Sequence, residues 1–581
     1  MKFSVLADAY EKIEATAGRL EMTGILSELF KKMNSPAEAE KIAYLLQGVV
    51  APPHRGIELG MGEKFVMQAI ALASGYAREA VEKEYKKEGD LGLVAQKLLE
   101  KRKQQSLHSE ELAVDKVFAS FMKIATSGGQ GSQEQKIKML AELLNSASPL
   151  EAKFITRFPM GRMRLGIGDP TILDAFSTYS AGDKSLREPL ERAYNLCSDL
   201  GLVSKTFMDG GIRAIQKFEM QVFSPVRPAL AERLNSPEEI MEKLKDCVVE
   251  AKYDGFRMQV HKKADRVMIF SRRQEEMTRM FPEVVSAVQK LSAKEIVFEG
   301  EALSIDKKTG KFLSFQQTIQ RKRKYEVKEM SEEFPLRIFA FDLLFLNGED
   351  LTGEKYLDRR KKLEKAISGS ELIQMSESIR TKDAKELEKF FNFCINKGLE
   401  GIIAKDLNSP YVAGARKFAW IKLKRSYGAM VDTVDLVIVG YYLGKGQRAD
   451  FEFGGLLAAV IDDEDGRFKT IARIGSGFTE EEMKDLEKKL DAIKTKQKPK
   501  KLDSEVEPDF WVEPKYVITA SSDEITLSPM HTAGKRGSDK GYALRFPRMT
   551  AIRDDKGPDD ATTVSEIIHM YELQKKKMTA R

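Results

Sequence analysis

The residue whose surroundings most suggest chemistry is Lys252, in the run Glu250-Ala251-Lys252-Tyr253-Asp254-Gly255-Phe256-Arg257. An apolar stretch from Cys247 precedes it and alternating Met258 and Val260 follow, which predicts a strand turning sharply at Gly255. A neutral lysine amine can attack the α-phosphorus of a nucleotide and hold the nucleotidyl group covalently, dividing one hard transfer into easier steps. Keeping that amine neutral at pH 7 costs about 4 to 5 kcal/mol from an ordinary lysine pKa. Further cations are therefore expected around Lys252, from a metal or from other Lys and Arg side chains. Alone the motif is weak, because a K-x-D-G recurs by composition in roughly one chain of this length in ten. A surface lysine beside an Asp-Gly turn is the plain alternative.

The elements that would position such a site lie downstream. Several strand-like runs carry polar residues at their ends: 267–270 before Ser271-Arg272-Arg273, 296–298 before Glu299-Gly300-Glu301, 336–346 around Phe341-Asp342, and 401–404 between Glu400 and Lys405. Trp420-Ile421-Lys422-Leu423-Lys424 alternates so that both lysines point to one face. Strands that deliver charge to one place build a site.

At 581 residues the chain is too long for one core, and three or so domains are expected. With 42% hydrophobic and 32% charged residues it has the composition of a soluble globular protein. A net charge of +6 permits a polyanionic partner without demanding one. Cys197, Cys247 and Cys394 are scattered, which argues against a disulfide framework or a cysteine zinc site and fits a reducing cytoplasm. The N-terminus opens an amphipathic pattern, and no apolar run reaches the length of a membrane span, so a cytoplasmic protein is expected.

Residues 1–220 read as helical. Ser35-Pro36-Ala37-Glu38 and Ser148-Pro149-Leu150-Glu151 are capped helix starts, and Ser236-Pro237-Glu238-Glu239 is a third, beyond a proline-rich boundary near residues 223–228. Within the helical part, Arg157, Arg162 and Arg164 alternate with glycines up to Asp169. Glycines let backbone approach a phosphate and arginines hold it with forked hydrogen bonds; solvated arginines at a helix end are the other reading. Beyond residue 430, short strands and glycine turns suggest a small β-barrel, with a basic loop at 494–501 read as solvated and a helix from Val564 to Lys577.

Taken in order, Lys252-Tyr253-Asp254-Gly255, Ser271-Arg272, Glu299-Gly300-Glu301, Phe341-Asp342, Glu400-Gly401-Ile402-Ile403-Ala404-Lys405 and Trp420-Ile421-Lys422-Leu423-Lys424 resemble the motifs of covalent nucleotidyltransferases. Arg545-Phe546-Pro547-Arg548 downstream narrows the resemblance to ATP-dependent DNA ligases of the archaeal type. The resemblance spans nearly the whole chain. It implies a multidomain fold: an all-α DNA-binding domain at 1–220, an α+β nucleotidyltransferase (adenylation) domain at 221–428, and a C-terminal OB-fold β-barrel with a terminal helix at 429–581.

The same resemblance implies an enzyme that seals nicks in double-stranded DNA during replication, repair and recombination, using ATP and Mg2+, as a monomer. Lys252 would be adenylated. Glu250 and Arg257 would contact adenosine, with Glu250 nearest the base, Arg272 the sugar, and Phe341 would stack on adenine. Glu301 and Glu400 would serve the nucleotide and a divalent metal. Arg416, Lys422 and Lys424 would be cations on the phosphate side; Arg545, Arg548 and Lys556 would join them from a barrel swinging about a hinge at 426–433. Arg157, Arg162 and Arg164 would grip DNA. Gln104 and Leu107 lie where such ligases dock on a sliding clamp, against the simpler reading of a polar helix turn. An RNA ligase or capping guanylyltransferase would share Lys252 but leaves the long helical part unexplained, an NAD-dependent ligase lacks its four zinc cysteines here, and a non-catalytic nick-binding protein would not need every site position filled.

Overall fold

The structure, a computed structural model, describes residues 1–581 apart from 17, 102–110, 162, 235, 306–311, 313–334, 416, 425–430, 444–453, 538 and 580–581. Three predicted helix starts form as their sequences dictate. The Ser35 side chain accepts from the Glu38 amide, Ser236 accepts from Glu239, and Ser148 closes a full capping box with Glu151. Helices run from Phe3–Ala15 to Leu200–Gln216, including α1 (Arg78–Glu88) and α2 (Pro149–Arg157), and bury a continuous apolar core.

The middle of the chain is built on two sheets. Its strands are β1 (Cys247–Lys252), β2 (Phe256–Lys263), β3 (Arg266–Ser271), β4 (Glu295–Ser304), β5 (Leu336–Leu346), β6 (Gly401–Asp406) and β7 (Trp420–Lys424), and helix α3 (Tyr356–Ile367) lies between β5 and β6 in sequence. One sheet has β6 antiparallel to both β1 and β7, with Gly401 opposite Lys252 and Lys424, Ile403 opposite Glu250 and Lys422, and Lys405 opposite Val248 and Trp420. Residues opposed in antiparallel strands share a face, and faces alternate along each strand. This register therefore puts Glu250, Lys252, Lys405, Trp420, Lys422 and Lys424 on one side. Val249, Ala251, Ile402, Ala404, Ile421 and Leu423 take the other, where they form an apolar cluster with Leu387 and Cys394. The second sheet runs β3-β2-β4-β5 and pairs Arg257 with Glu301.

Two glycines allow the close approach. Gly401 has φ +151°, and a Cβ there would lie 2.1 Å from the Leu423 carbonyl oxygen. A Cβ on Gly255 would lie 2.5 Å from the Ala302 carbonyl, so the predicted turn after Lys252 can tuck against β4 only as glycine.

The C-terminal part is β-rich. Strand β8 (Val431–Tyr442) is central to an eight-stranded, mostly antiparallel sheet, an arrangement consistent with the expected OB-fold barrel, and helix α4 (Val564–Thr579) ends the chain. The basic loop at 494–501 is not simply solvated. Lys496 donates to the Lys86 and Lys87 carbonyls, the latter at 2.9 Å, at the C-terminal end of α1, where unsatisfied carbonyls and the helix dipole favour a cation. Lys500 donates to the Glu14 carbonyl.

Candidate active site

Lys252 ends β1 with its Nζ hydrogen-bonded to Glu400 Oε2, while Lys424 Nζ, one row across the sheet, takes Glu400 Oε1. The Glu400 amide donates to the Lys252 carbonyl at 3.1 Å, fixing the two backbones together. Glu301 reaches in from β4 and accepts from the Gly255 amide at 3.2 Å. Lys252, Glu301, Glu400 and Lys424 thus converge.

The electrostatic surroundings differ from the cationic crowd expected around Lys252. Burial opposes its ammonium form, but Glu400, then Glu301 and Asp254, outweigh burial and hold its pKa above the ordinary lysine value. Lys424 is spent on Glu400, and Lys422 pairs at 3.0 Å with Glu566 of α4. Glu400 is held well below the usual carboxylate range, its burial overcome by Lys252 and Lys424. Burial pushes Glu301 up to about 7 despite Lys252 and Arg257 nearby. These two carboxylates carry opposite perturbations within one cluster.

Glu250 is almost fully buried, and Arg360, Tyr356 and Lys405 donate to it, the last at 2.8 Å. Arg257 donates to Glu299 at 2.9 Å and to the Ala229 carbonyl at 3.1 Å, with its guanidinium 5.3 Å from the Phe341 ring and 5.7 Å from that of Trp420. Phe341 is half-buried and edge-on to Trp420. Arg272 donates to Asp560 of the C-terminal part at 3.0 Å.

Of the other predicted residues, Lys556 lies within electrostatic reach of Lys424, Arg272 and Arg553. Lys556 is not a free phosphate-side cation: it is buried in an ion pair with Asp435 at 2.5 Å. Arg545 is exposed and paired with Glu524, and Arg548 is exposed. Arg416 and Arg162, the Gln104 and Leu107 segment, and hinge positions 426–430 fall outside the described residues.

Arg157 does not offer itself to a phosphate either. It is buried, donating to Asp90 at 2.7 Å and to Glu14 at 2.8 and 3.1 Å. Arg164 is half-buried, 3.3 Å from Asp90. Arg157→Met is expected to cost about 3 to 5 kcal/mol of stability, because it takes the main cation from buried Asp90 and leaves Glu14 with Lys153, whereas Arg164→Ala should cost about 1 kcal/mol. Calorimetry of both full-length variants checks this; equal losses would refute the structural assignment of Arg157.

Comparison with known proteins bears on what this cluster does. The family description "DNA ligase N terminus" matches residues 2–177, "ATP dependent DNA ligase domain" residues 228–424, and "ATP dependent DNA ligase C terminal region" residues 450–556. A "Probable DNA ligase" of Dictyoglomus turgidum is 51% identical over 99% of this chain and 98% of its own. The chain belongs to the ATP-dependent DNA ligase family. A "DNA ligase" of Saccharolobus solfataricus is 42% identical over the same shares of the two chains. The solved structure of "mycobacterial DNA ligase D complexed with ATP and MES" is 25% identical over 57% of this chain and 98% of that one, with a TM-score of 0.35.

The donor set of the ligase suits the magnesium its family implies. Among the described residues no group of three or more His, Cys, Asp or Glu forms a cage for a metal. Glu301 and Glu400 nonetheless offer hard oxygen ligands, and magnesium takes one or two carboxylates plus substrate phosphates and water. The elevated pKa of Glu301 marks a buried carboxylate with too little positive charge around it. No described helix of the ligase is long and apolar enough to cross a membrane.

Sequence reasoning passed over several residues that the cleft brings in. Lys405, Trp420 and Glu299 lie inside motifs already singled out, whereas Arg360 and Tyr356 lie on α3, whose Asp358 to Lys362 run looks like a solvated charged face. Arg553 bonds Asp555 at 2.8 Å and adds positive charge beside Asp254.

Proposed function

We propose that this ligase seals nicks in duplex DNA through a covalent Lys252–AMP intermediate. The observation that carries the reading is Glu400 shared between Lys252 and Lys424, with Glu301 alongside; in this reading the nucleotide cleft lies between them and Phe341. In the first step the Lys252 Nζ lone pair attacks the α-phosphorus of ATP, and the bond to the bridging oxygen breaks to release pyrophosphate. The 5′-phosphate of the nick then attacks the same phosphorus and frees the lysine. Last, the nick's 3′-hydroxyl attacks the 5′-phosphorus and expels AMP.

Lys252 must lose a proton before it can attack, yet Glu400 and Glu301 favour its ammonium form. Magnesium held by Glu301 and Glu400 would neutralise those carboxylates, lower the lysine pKa and offset charge on the triphosphate. Lys424, and Lys422 and Arg416 beside it in the reading, stabilise charge developing on the transferred phosphoryl group. Glu250 and Arg257 contact adenosine, with Glu250 nearest the base; Phe341 stacks on adenine and Arg272 contacts the sugar.

The decisive test is α-labelled ATP with magnesium: label should remain on the denatured chain, and the protein should seal a nicked DNA duplex. Label without DNA sealing, but with sealing of nicked RNA, would favour an RNA ligase instead.

Glu301 also predicts a pH dependence. With its pKa up to about 7, it is protonated below that pH and ionised above it. The magnesium concentration giving half-maximal self-adenylylation should therefore rise up to about tenfold per pH unit below 7, and the dependence should vanish in Glu301→Gln. A magnesium requirement unchanged between pH 5.5 and 7 in the wild type would count against Glu301 as a ligand.

The reading divides the chain at 1–220, 221–428 and 429–581. DNA lies along residues 161–169 of the helical domain, gripped by Arg162 and Arg164, and nick affinity should fall steeply with salt. The C-terminal domain reaches the cleft through Lys422–Glu566 and Arg272–Asp560; it swings about residues 426–433 between steps, bringing Arg545 and Arg548 toward pyrophosphate. A monomer, with clamp docking through Gln104 and Leu107, completes the reading.

A further inference from the structure

Helix α3 carries none of the motifs that mark the site, yet its first two turns reach Glu250 and Asp342. Tyr356 and Arg360 are four residues apart and so share a helix face. Both donate to the same oxygen, Oε1, of Glu250. Arg360 is itself immobilised: it donates to the Ser376 carbonyl at 2.9 Å and to the Ser378 hydroxyl at 2.8 Å. The other oxygen of Glu250 takes Lys405 Nζ at 2.8 Å. That ammonium also donates to the Phe341 carbonyl at 2.9 Å and sits 4.1 Å from the Trp420 ring centre. It is fully buried. The Glu250 carboxylate and the backbone of Phe341, the proposed stacking residue, are thus tied to one frame.

A carboxylate offers about four lone-pair sites. Three are taken by Arg360, Tyr356 and Lys405, which leaves one acceptor held in a fixed direction. An ionised carboxylate can only accept, so that position suits an exocyclic amine and repels a carbonyl oxygen. We infer that Arg360 and Tyr356 are positioning residues for nucleobase selection, orienting Glu250 so that its remaining acceptor site discriminates a 6-amino purine from other bases. The inference rests on the reading of Glu250 as the base contact and extends it to residues that touch no substrate.

A contact of this kind is worth about tenfold or more in selectivity when the acceptor is well aimed, and much less when it is free to turn. The test measures kcat and KM for self-adenylylation with ATP and with purine riboside 5′-triphosphate, which lacks the 6-amino group. The wild type should prefer ATP by at least about tenfold in kcat/KM. Arg360→Gln should raise KM for ATP about tenfold, change kcat little, and bring the preference close to one, while Arg360→Lys should recover part of it. A purely structural helix would lower both nucleotides equally. Should Arg360→Gln fail to fold, Tyr356→Phe, which removes one hydroxyl, carries the same test with a smaller expected loss of preference.

Three outcomes overturn different parts. If Glu250→Ala abolishes the preference and Arg360→Gln and Tyr356→Phe keep it whole, the positioning role is wrong and the base contact stands. If the wild type shows no preference, the base contact itself falls and the inference with it. If neither nucleotide labels the chain, the proposed lysine–AMP chemistry fails before the question of selectivity arises.

Discussion

Lys252→Ala should lower self-adenylylation by roughly 10⁴-fold or more, since removing a nucleophile that acts together with its neighbours costs most of what the whole group provides. Arginine should not rescue it, because a guanidinium stays protonated at working pH and is no nucleophile. The loss should be selective. Glu400, Lys424 and Glu301 stay in place, so a nick supplied already adenylated on its 5′-phosphate needs only the last displacement and should still be sealed measurably by the variant. The paired measurement separates a missing nucleophile from a collapsed cleft, in which both reactions would fail together. Label on the denatured variant within tenfold of the wild type would remove Lys252 from the mechanism, whatever the fate of the pre-adenylated nick.

The frame around that lysine was legible because local pattern sets it. The apolar run from Cys247, alternation at 420–424, the glycine after Asp254, and serine-proline-acid helix starts each act over a few residues, and each element forms at its predicted place. The failures involve partners distant in sequence. Arg157 looks like a phosphate ligand beside its glycines, but its acids, Asp90 and Glu14, come from 67 and 143 residues away. Lys556 is expected from the resemblance as a phosphate-side cation and lies in the fold in a buried pair with Asp435, 121 residues earlier. The charge around Lys252 was misjudged for the same reason: one-dimensional spacing showed lysines nearby in the motifs, while register gave Lys424 to Glu400 and folding gave Lys422 to Glu566. A charged helix such as α3 is hardest to read, since its repeat is that of a solvated surface until Glu250 and Asp342 are seen opposite.

Arg359→Met should destabilise the central domain by about 3 to 5 kcal/mol, a loss matched only by that expected of Arg157→Met in the helical part. Arg359 and Asp342 are both fully buried, and the arginine donates to Asp342 at 2.8 and 3.0 Å, to the Glu354 carbonyl at 2.5 Å and to the Ser409 carbonyl at 3.1 Å. Removing it leaves the buried Asp342 carboxylate with the Leu343 amide but no cation, and takes a donor from the Glu354 and Ser409 carbonyls, of which Ser409 keeps the Tyr356 amide; an uncompensated buried charge is why breaking such a pair costs more than the pair contributes in water. For a domain of about 200 residues the loss amounts to a drop of roughly 6 to 20 °C in the corresponding transition. Asp342 adjoins Phe341, so the cleft wall should loosen as well, and KM for ATP should rise with the fall in stability. Asp342→Asn should do nearly the same from the other side. The double change Arg359→Met, Asp342→Leu should cost less than the sum of its parts, because no charge is then left without a partner. Strict additivity in that cycle would mean that the two side chains, though touching, stabilise the domain independently, and the buried pair would lose its role as the link between α3 and the strand that carries Phe341.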